Sequence, residues 1–394
     1  MTTVDYLVVG SGLTGSTIAR RLADAGREVL ILERRAHFGG NLHDTIHPSG
    51  VRVHTYGPHY FRCNSPRIWA FVNRFSQFQP YAARVKVETG GVYEDWPVRK
   101  RTLEGYPNWV PPQSNGKPGN FEEACLRKLP AELYRKLIEG YTRRQWGVEP
   151  RQLDAALARR IRINEDSQHS LSPHCRYQAL PVLGYSNWMA SMIDGIPVQL
   201  GVDYLQRRGE FQARKLLVIT GSVDEFFGFD EGRLDYRGQR RKLVYYADRD
   251  SFQPCVQVNH PDAREPAPLR SIEWKYLLQP KERRGIARTV VTHEFPYSPS
   301  APDEFEYPFQ DLRNKALSHR YRDRAARIPN LLICGRLGEY RYYDMDQAIG
   351  RALHLADRIL DTGYNSARST PPVERVSARS APRGRILARD LQAR

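Results

Sequence analysis

The first 33 residues leave few folds open to this chain. Asp5-Tyr6-Leu7-Val8-Val9 is a short apolar run of the kind buried in a parallel sheet. It runs straight into Gly10-Ser11-Gly12-Leu13-Thr14-Gly15. Ile18, Ala19, Leu22 and Ala23 then recur at helical spacing as far as Gly26, and Val29-Leu30-Ile31-Leu32 is a second buried strand closed by Glu33. Strand, glycines, helix, strand and acid in that order make a dinucleotide-binding βαβ unit. Gly10 allows the tight turn. Gly12, with Leu13 beside it, lets the backbone approach a pyrophosphate over the helix N-terminus, and Gly15 allows helix and strand to pack closely. Glu33 falls where an acid holds ribose hydroxyls, which argues against a 2′-phosphate and hence against NADP. Gly39-Gly40-Asn41, soon after Glu33-Arg34-Arg35, adds a glycine turn of the kind threaded beneath a flavin, so FAD is favoured over NAD.

The rest of the chain points to an α/β protein: an FAD-binding Rossmann-like domain with a helical insertion and an antiparallel β-sheet insertion. Residues 64–80 and 120–185 read as helical and polar, with Leu126, Leu129, Leu133, Leu137 and Ile138 forming one stripe. Val198 to Tyr246 alternates like strands, residues 254–295 give further strands, and Leu331-Leu332-Ile333-Cys334 is a last buried strand. A helix is expected from about Asp346 to Leu360. The expected division is 1–63 with 186–245 and 325–362 for FAD, 64–80 with 100–185 for the helical substrate domain, and 81–99 with 246–324 for the sheet domain. Residues 364–394, rich in Arg, Pro and Ser, are expected to be a disordered basic tail.

Composition narrows the partners. The 394 residues carry a formal charge of +16, an excess that suits nucleic acid, an anionic membrane surface or a phosphorylated substrate. The five cysteines form no Cys-x-x-Cys pair, which speaks against a disulfide framework or a zinc site and fits a reducing cytoplasm. No apolar run approaches the roughly 18 residues of a membrane span, and no secretion leader is expected before the first strand. No nucleic-acid partner, no membrane span and a homodimer are expected.

Several stretches together resemble the UDP-galactopyranose mutase family over nearly the whole chain to about residue 361. They are Val29–Arg35 with His37-Phe38-Gly39-Gly40-Asn41, then Tyr56-Gly57-Pro58-His59-Tyr60-Phe61, then Gly140-Tyr141-Thr142-Arg143-Arg144-Gln145-Trp146-Gly147. Tyr177-Gln178 through Pro181 to Tyr185, Thr220-Gly221-Ser222-Val223-Asp224, and Gly335-Arg336-Leu337-Gly338-Glu339-Tyr340-Arg341-Tyr342-Tyr343-Asp344-Met345 complete the set. The resemblance implies a mutase that interconverts pyranose and furanose rings of a nucleoside-diphosphate sugar, with reduced FAD as nucleophile at the anomeric carbon and no net oxidation. It implies that His59, Arg336 and Tyr342 serve catalysis, with His59 against the flavin. Tyr141 would stack on the nucleobase with Trp146 nearby, and Tyr307, Arg336 and Tyr342 would bind the diphosphate. Gly10, Gly12, Leu13, Gly15, Glu33, Arg34, Gly40, Asn41, Asp344 and Met345 would hold FAD, the last two touching the isoalloxazine.

The chain departs from the family at three places, one of them the end of the histidine loop, which reads Phe61-Arg62-Cys63 rather than Phe-His-Thr. The family grips the substrate pyrophosphate with two mobile-loop arginines. One follows an Arg-Ile-Pro-Val stretch; here Arg160-Ile161-Arg162-Ile163 is followed by Asn164-Glu165. The other lies in Arg-Glu-Tyr-Pro; here the residues are His293-Glu294-Phe295-Pro296. Losing a charged partner to a buried diphosphate costs about 2–5 kcal/mol, so something should substitute. Arg62, Arg162 or His293 are candidates. So is a divalent cation, Mg or Mn, on the loop from Asn164 to His174 with its carboxylates and imidazoles, although no metal-binding residue is assigned. The alternatives are therefore a metal-assisted mutase on the same fold with no need of flavin, a flavin oxidase or dehydrogenase, and a non-catalytic FAD-binding protein. Gly140–Gly147 speaks against the oxidase.

Overall fold

The computed structural model describes residues 1–112, 116–262 and 266–362. The basic tail expected at 364–394 lies outside these residues.

The opening unit folds as its pattern dictates. Strand Thr2–Val9, helix Leu13–Asp24 and strand Val29–Glu33 follow in order, and Gly26 closes the helix with a left-handed φ of 70°. The strands join a five-stranded, wholly parallel sheet in the order Val198–Leu200, Val29–Glu33, Thr2–Val9, Phe211–Ile219, Leu331–Ile333. Strands buried on both faces need continuous apolar runs, which is why Val29–Glu33 is buried throughout. Helix Met345–Thr362 packs against Leu13–Asp24 through Ile349, Ala352, Leu355 and Ile359. Three of the five strands thus come from far along the chain.

A seven-stranded sheet forms the second layer, in the order Tyr307–Pro308, Tyr236–Tyr246, Thr289–Tyr297, Arg270–Glu273, Gln257–Asn259, Val85–Thr89, Val92–Trp96. Its pairs are antiparallel except for Gln257–Asn259 against Val85–Thr89. Strand Tyr236–Tyr246 therefore belongs to this sheet and not with the FAD-binding segments 186–245. Its alternation marks a strand but does not say which sheet it joins. Helix Leu312–Ala325 differs the other way. It was expected among the sheet segments, but its Leu317, Tyr321 and Ala325 pack with Val223, Phe226 and Leu331 beside the parallel sheet.

The helical part packs against the seven-stranded sheet, through Val87 among others. Leu129, Leu133, Leu137 and Ile138 share one core with Phe121 and Cys125, and Leu126 packs at its edge. A π-helical turn, Arg135–Glu139, leads into helix Gly140–Trp146. Gly140 is fixed by contact: a Cβ there would stand 2.3 Å from the Pro261 carbonyl oxygen. Segments read as helical at 64–80 and 120–185 also contain strands. Phe61–Cys63, Phe78–Pro80 and Tyr177–Pro181 form a small antiparallel sheet, and Ile163–Asn164 pairs with Val98–Arg99.

Candidate functional site

Two glycine turns meet to form a cradle at the C-terminal edge of the parallel sheet. Gly10 has φ 100°, and a Cβ on it would stand 2.1 Å from Thr220 Oγ1; a Cβ on Gly15 would stand 2.0 Å from the Gly10 oxygen. Neither position tolerates a side chain without moving its neighbour. Gly12 is different, because a Cβ there would enter open space. That space lies at the N-cap of helix Leu13–Asp24, which has no side-chain cap and no acid in its first turn. The exposed N–H groups and the helix dipole are left for an anion. Gly40 approaches so closely that a Cβ would lie 2.9 Å from Gly12 Cα, and Gly39 N–H donates to the Ser11 oxygen at 3.1 Å.

The cavity above this cradle is lined by Gly10, Gly12, Leu13, Glu33, Arg34, Gly40 and Asn41, as expected, and reaches His59, Thr220–Ser222, Gly335, Arg336, Tyr343 and Met345. The Glu33 carboxylate accepts from Ser11 N–H at 2.8 Å, Ser11 Oγ at 2.7 Å and Arg35 N–H at 3.0 Å. Arg34 is held by Glu225 and Asp303, each at 3.0 Å. An adenine dinucleotide fits this donor set. The pyrophosphate has the open helix end, and the ribose has the acid at the strand tip.

His59 stands at the inner end. Burial pushes its pKa well down, helped by His54, Arg336 and Arg241, so the imidazole is neutral. The backbone N–H of His59 donates to His54 Nδ1 at 3.2 Å, and the His59 Nδ1 atom is buried. His59 as a residue lines the cavity wall.

A buried ion network carries the loop that presents His59. Arg241 donates to Glu306 at 2.7 and 2.9 Å, to Glu294 at 3.0 Å and to the Tyr56 carbonyl at 3.0 Å. Arg270 also pairs with Glu294. Burial would raise the Glu294 pKa, but Arg270 and Arg241 outweigh it and hold it below the usual range. Gly57, with φ 88°, lies on that carboxylate: a Cβ would stand 2.6 Å from Glu294 Oε1. The positive charge of Arg270 also reaches Tyr141 and Tyr307. Sequence reasoning missed Arg241 and Arg270. Alternation within each strand was visible, but not that the two strands bring these cations onto one acid.

Next to the cradle, Arg336 donates to the Glu306 and Tyr343 carbonyls at 3.3 and 2.9 Å and lies 5.7 Å from the Tyr307 ring centre and 5.0 Å from that of Tyr342. Tyr307 and Tyr342 are stacked at 6.0 Å. The three residues expected at the diphosphate are thus together. Asp344 is placed otherwise than expected. Met345 lines the cavity, but Asp344 accepts from Tyr342 Oη at 3.0 Å and pairs with Arg62 at 3.3 Å. Tyr141 is half-buried near Arg270, while Trp146 packs on the helical core with Phe309, ring centres 6.1 Å apart. The geometry gives Trp146 a packing role.

The expected substitutes for the missing arginines are not all where they are needed. His293 points to the side of its strand away from Glu294, against Phe252 and Tyr246, and burial lowers its pKa. Asn164 is buried and donates to the Ser170 carbonyl. Arg162 is exposed, and its charge is felt at Lys128 and His174. In the loop proposed for a metal, Glu165 pairs with Lys100 at 2.7 Å, Asp166 accepts from Arg101 N–H at 2.9 Å, and His169 Nδ1 faces Arg99 at 3.3 Å. These groups already have partners within the chain, in the case of Asp166 a backbone N–H, and among the described residues no three His, Cys, Asp or Glu side chains converge.

Comparison with known proteins agrees with this geometry. The UDP-galactopyranose mutase family model matches residues 136–342, and an NAD(P)-binding Rossmann-like model matches 8–75. A probable UDP-galactopyranose mutase of Klebsiella pneumoniae is 32% identical over 382 residues, covering 93% of this chain and 97% of that one. A dTDP-fucopyranose mutase of Escherichia coli is 30% identical over 372 residues, covering 89% and 97%. The crystal structure of a reduced UDP-galactopyranose mutase superposes with a TM-score of 0.71 at 13% identity, covering 93% and 97%, a likeness of fold. With its glycine cradle, buried histidine and Arg336–tyrosine cluster in one cleft, this chain belongs to the UDP-galactopyranose mutase family.

Proposed function

We propose that this protein interconverts the pyranose and furanose forms of a nucleoside-diphosphate sugar with reduced FAD as cofactor. The observation that carries the reading is the junction of two sites: the dinucleotide cradle ends at His59 and Met345, where the Arg336–Tyr307–Tyr342 cluster begins. Reduced flavin, when bound, supplies the electron pair that attacks the anomeric carbon and regains it when the nucleotide returns, so no net oxidation occurs. The protein's residues do the rest. Gly12 and Gly10 admit the pyrophosphate, Glu33 and Arg34 face the adenosine half, and neutral His59 offers an uncharged nitrogen to the flavin. Arg336 stabilises the diphosphate as the anomeric bond breaks, with donors fixed before the reaction. Tyr141, beside Arg270, stacks on the base. Asp344 acts by fixing Tyr342 and Arg62.

The named relatives act on UDP-galactopyranose and dTDP-fucopyranose, so UDP and dTDP sugars are the first substrates to try. Purified protein incubated with each under dithionite should isomerise at least one, with no reductant consumed per turnover. NADH oxidised in proportion to product would place the chain among dehydrogenases instead. Among the described residues no helix is long and apolar enough to cross a membrane, and all five cysteines are free. Free thiols support a cytoplasmic enzyme. A homodimer is part of the same proposal, which light scattering on the purified protein tests.

A further inference from the structure

The diphosphate cluster holds more positive charge than the sequence comparison indicates. Arg160 lies with its guanidinium 3.9 Å from the centre of the Tyr342 ring, the ring that Arg336 also approaches. Its Nη2 is 3.9 Å from Asp344, which Arg62 meets at 3.3 Å. Arg62 and Arg160 therefore share Asp344, with Asp346 the next carboxylate behind it, while Arg336, at the same Tyr342 ring, donates to the backbone carbonyls of Glu306 and Tyr343. Around the Tyr342 ring stand the guanidiniums of Arg160 and Arg336, and the Arg160 side chain, 49% exposed, keeps N–H groups open to a bound anion.

Arg160 is also fixed in place. It ends the 3₁₀ turn Ala155–Arg160, whose start is capped by Asp154 and whose Ala158 is buried. Lys128 Nζ donates to the carbonyls on either side, Ala158 at 2.7 Å and Ile161 at 3.1 Å. Arg160 matches the first residue of the family's Arg-Ile-Pro-Val stretch and sits on an anchored turn, four residues before Asn164, the position where the family has its loop arginine.

We propose that Arg160, assisted by Arg62, grips the substrate diphosphate in this protein and stands in for the two absent loop arginines. The proposal rests on the mutase reading above. A planar guanidinium stacked on Tyr342 presents its edge N–H groups to phosphate oxygens, beside those of Arg336.

Equilibrium binding of UDP, dTDP and inorganic pyrophosphate to the FAD-loaded, oxidised protein tests this without turnover. Arg160→Ala should weaken binding of the diphosphates by roughly 10-fold or more and flatten the salt dependence, and Arg62→Ala should weaken it less. Arg160→Lys keeps charge but not the fork, should recover part of the loss, and serves if the alanine variant is unstable. Arg162→Ala should bind as the wild type does. Unchanged affinity in both Arg160→Ala and Arg160→Lys, or a loss confined to Arg162→Ala, overturns the proposal, as does binding that EDTA abolishes. A wild type that binds none of the probes overturns the mutase reading itself and this inference with it.

Discussion

Glu294 offers the sharpest test of how the site is held. Its side chain is fully buried and is the carboxylate for two cations, Arg241 and Arg270. Glu294→Gln keeps the volume and removes the charge. Arg241 would keep both bonds to Glu306. Arg270 would lose the carboxylate it pairs with, leaving a guanidinium in the interior. Removing one partner of a buried pair costs about 3–5 kcal/mol, because the remaining charge stays desolvated. The amide can still accept one hydrogen bond, so the expected loss is at the lower end, about 3 kcal/mol. Urea unfolding of the holoprotein, followed by circular dichroism, measures it. Arg270→Met removes the stranded cation, so the double variant should be more stable than the sum of the single losses by about 1–3 kcal/mol. Because Gly57 rests on Glu294 Oε1, the single variant should also loosen the loop that carries His59 and weaken FAD binding. A loss below about 1 kcal/mol with no coupling to Arg270 would show that the network does not carry the loop.

Three further outcomes are expected. Gly12→Val places a branched side chain in the open space over the helix N-terminus, so purified protein should lose its flavin absorbance while the chain remains folded; a yellow variant would move the pyrophosphate elsewhere. Arg336→Ala should cost at least about 2 kcal/mol of transition-state stabilisation, read from kcat/KM, and an unchanged rate would separate the diphosphate from the Tyr307–Tyr342 pair. Burial, with Arg52, lowers the His54 pKa to about 3, so the folded state stays neutral there while the unfolded chain protonates near 6.5. Its contribution is complete above that pH and is lost on acidification towards pH 3, at about 1.4 kcal/mol per pH unit. His54→Gln should remove that share of the acid slope in unfolding midpoints between pH 4.5 and 7.5, and an unaltered slope would mean that His54 is not held neutral.

Much of the flavin half was legible because its signals are local. Gly10, Gly12, Gly15 and Glu33 lie within one βαβ unit, where Gly15 meets Gly10 and Glu33 meets Ser11 and Arg35, although the Thr220 that crowds Gly10 comes from a distant segment. The substrate half was read in part. Arg336, Tyr307 and Tyr342 meet as the family resemblance implied, but Asp344 turns to Arg62 and Trp146 packs on the helical core. Replacement of the loop arginines by Asn164 and His293 was visible as a change of letters. Which cation stands nearest the gap was not: Arg162 is closer in sequence to Asn164, but it is Arg160 that lies over the Tyr342 ring.

What the sequence determined by itself is the Rossmann opening, the strands and helices of strong periodicity, and the chemistry of a dinucleotide cradle. These follow from backbone conformation and from side-chain spacing of about 2 or 3.6 residues, which short-range forces impose. Tertiary structure alone decided that Tyr236–Tyr246 joins the second sheet, that Glu294 lies beneath Gly57 between Arg241 and Arg270, and that Arg160 stacks on Tyr342. Each of these depends on which distant segments pair. That choice is set by burial of the combined surfaces and by the need to neutralise charge in the interior, and no single segment contains it.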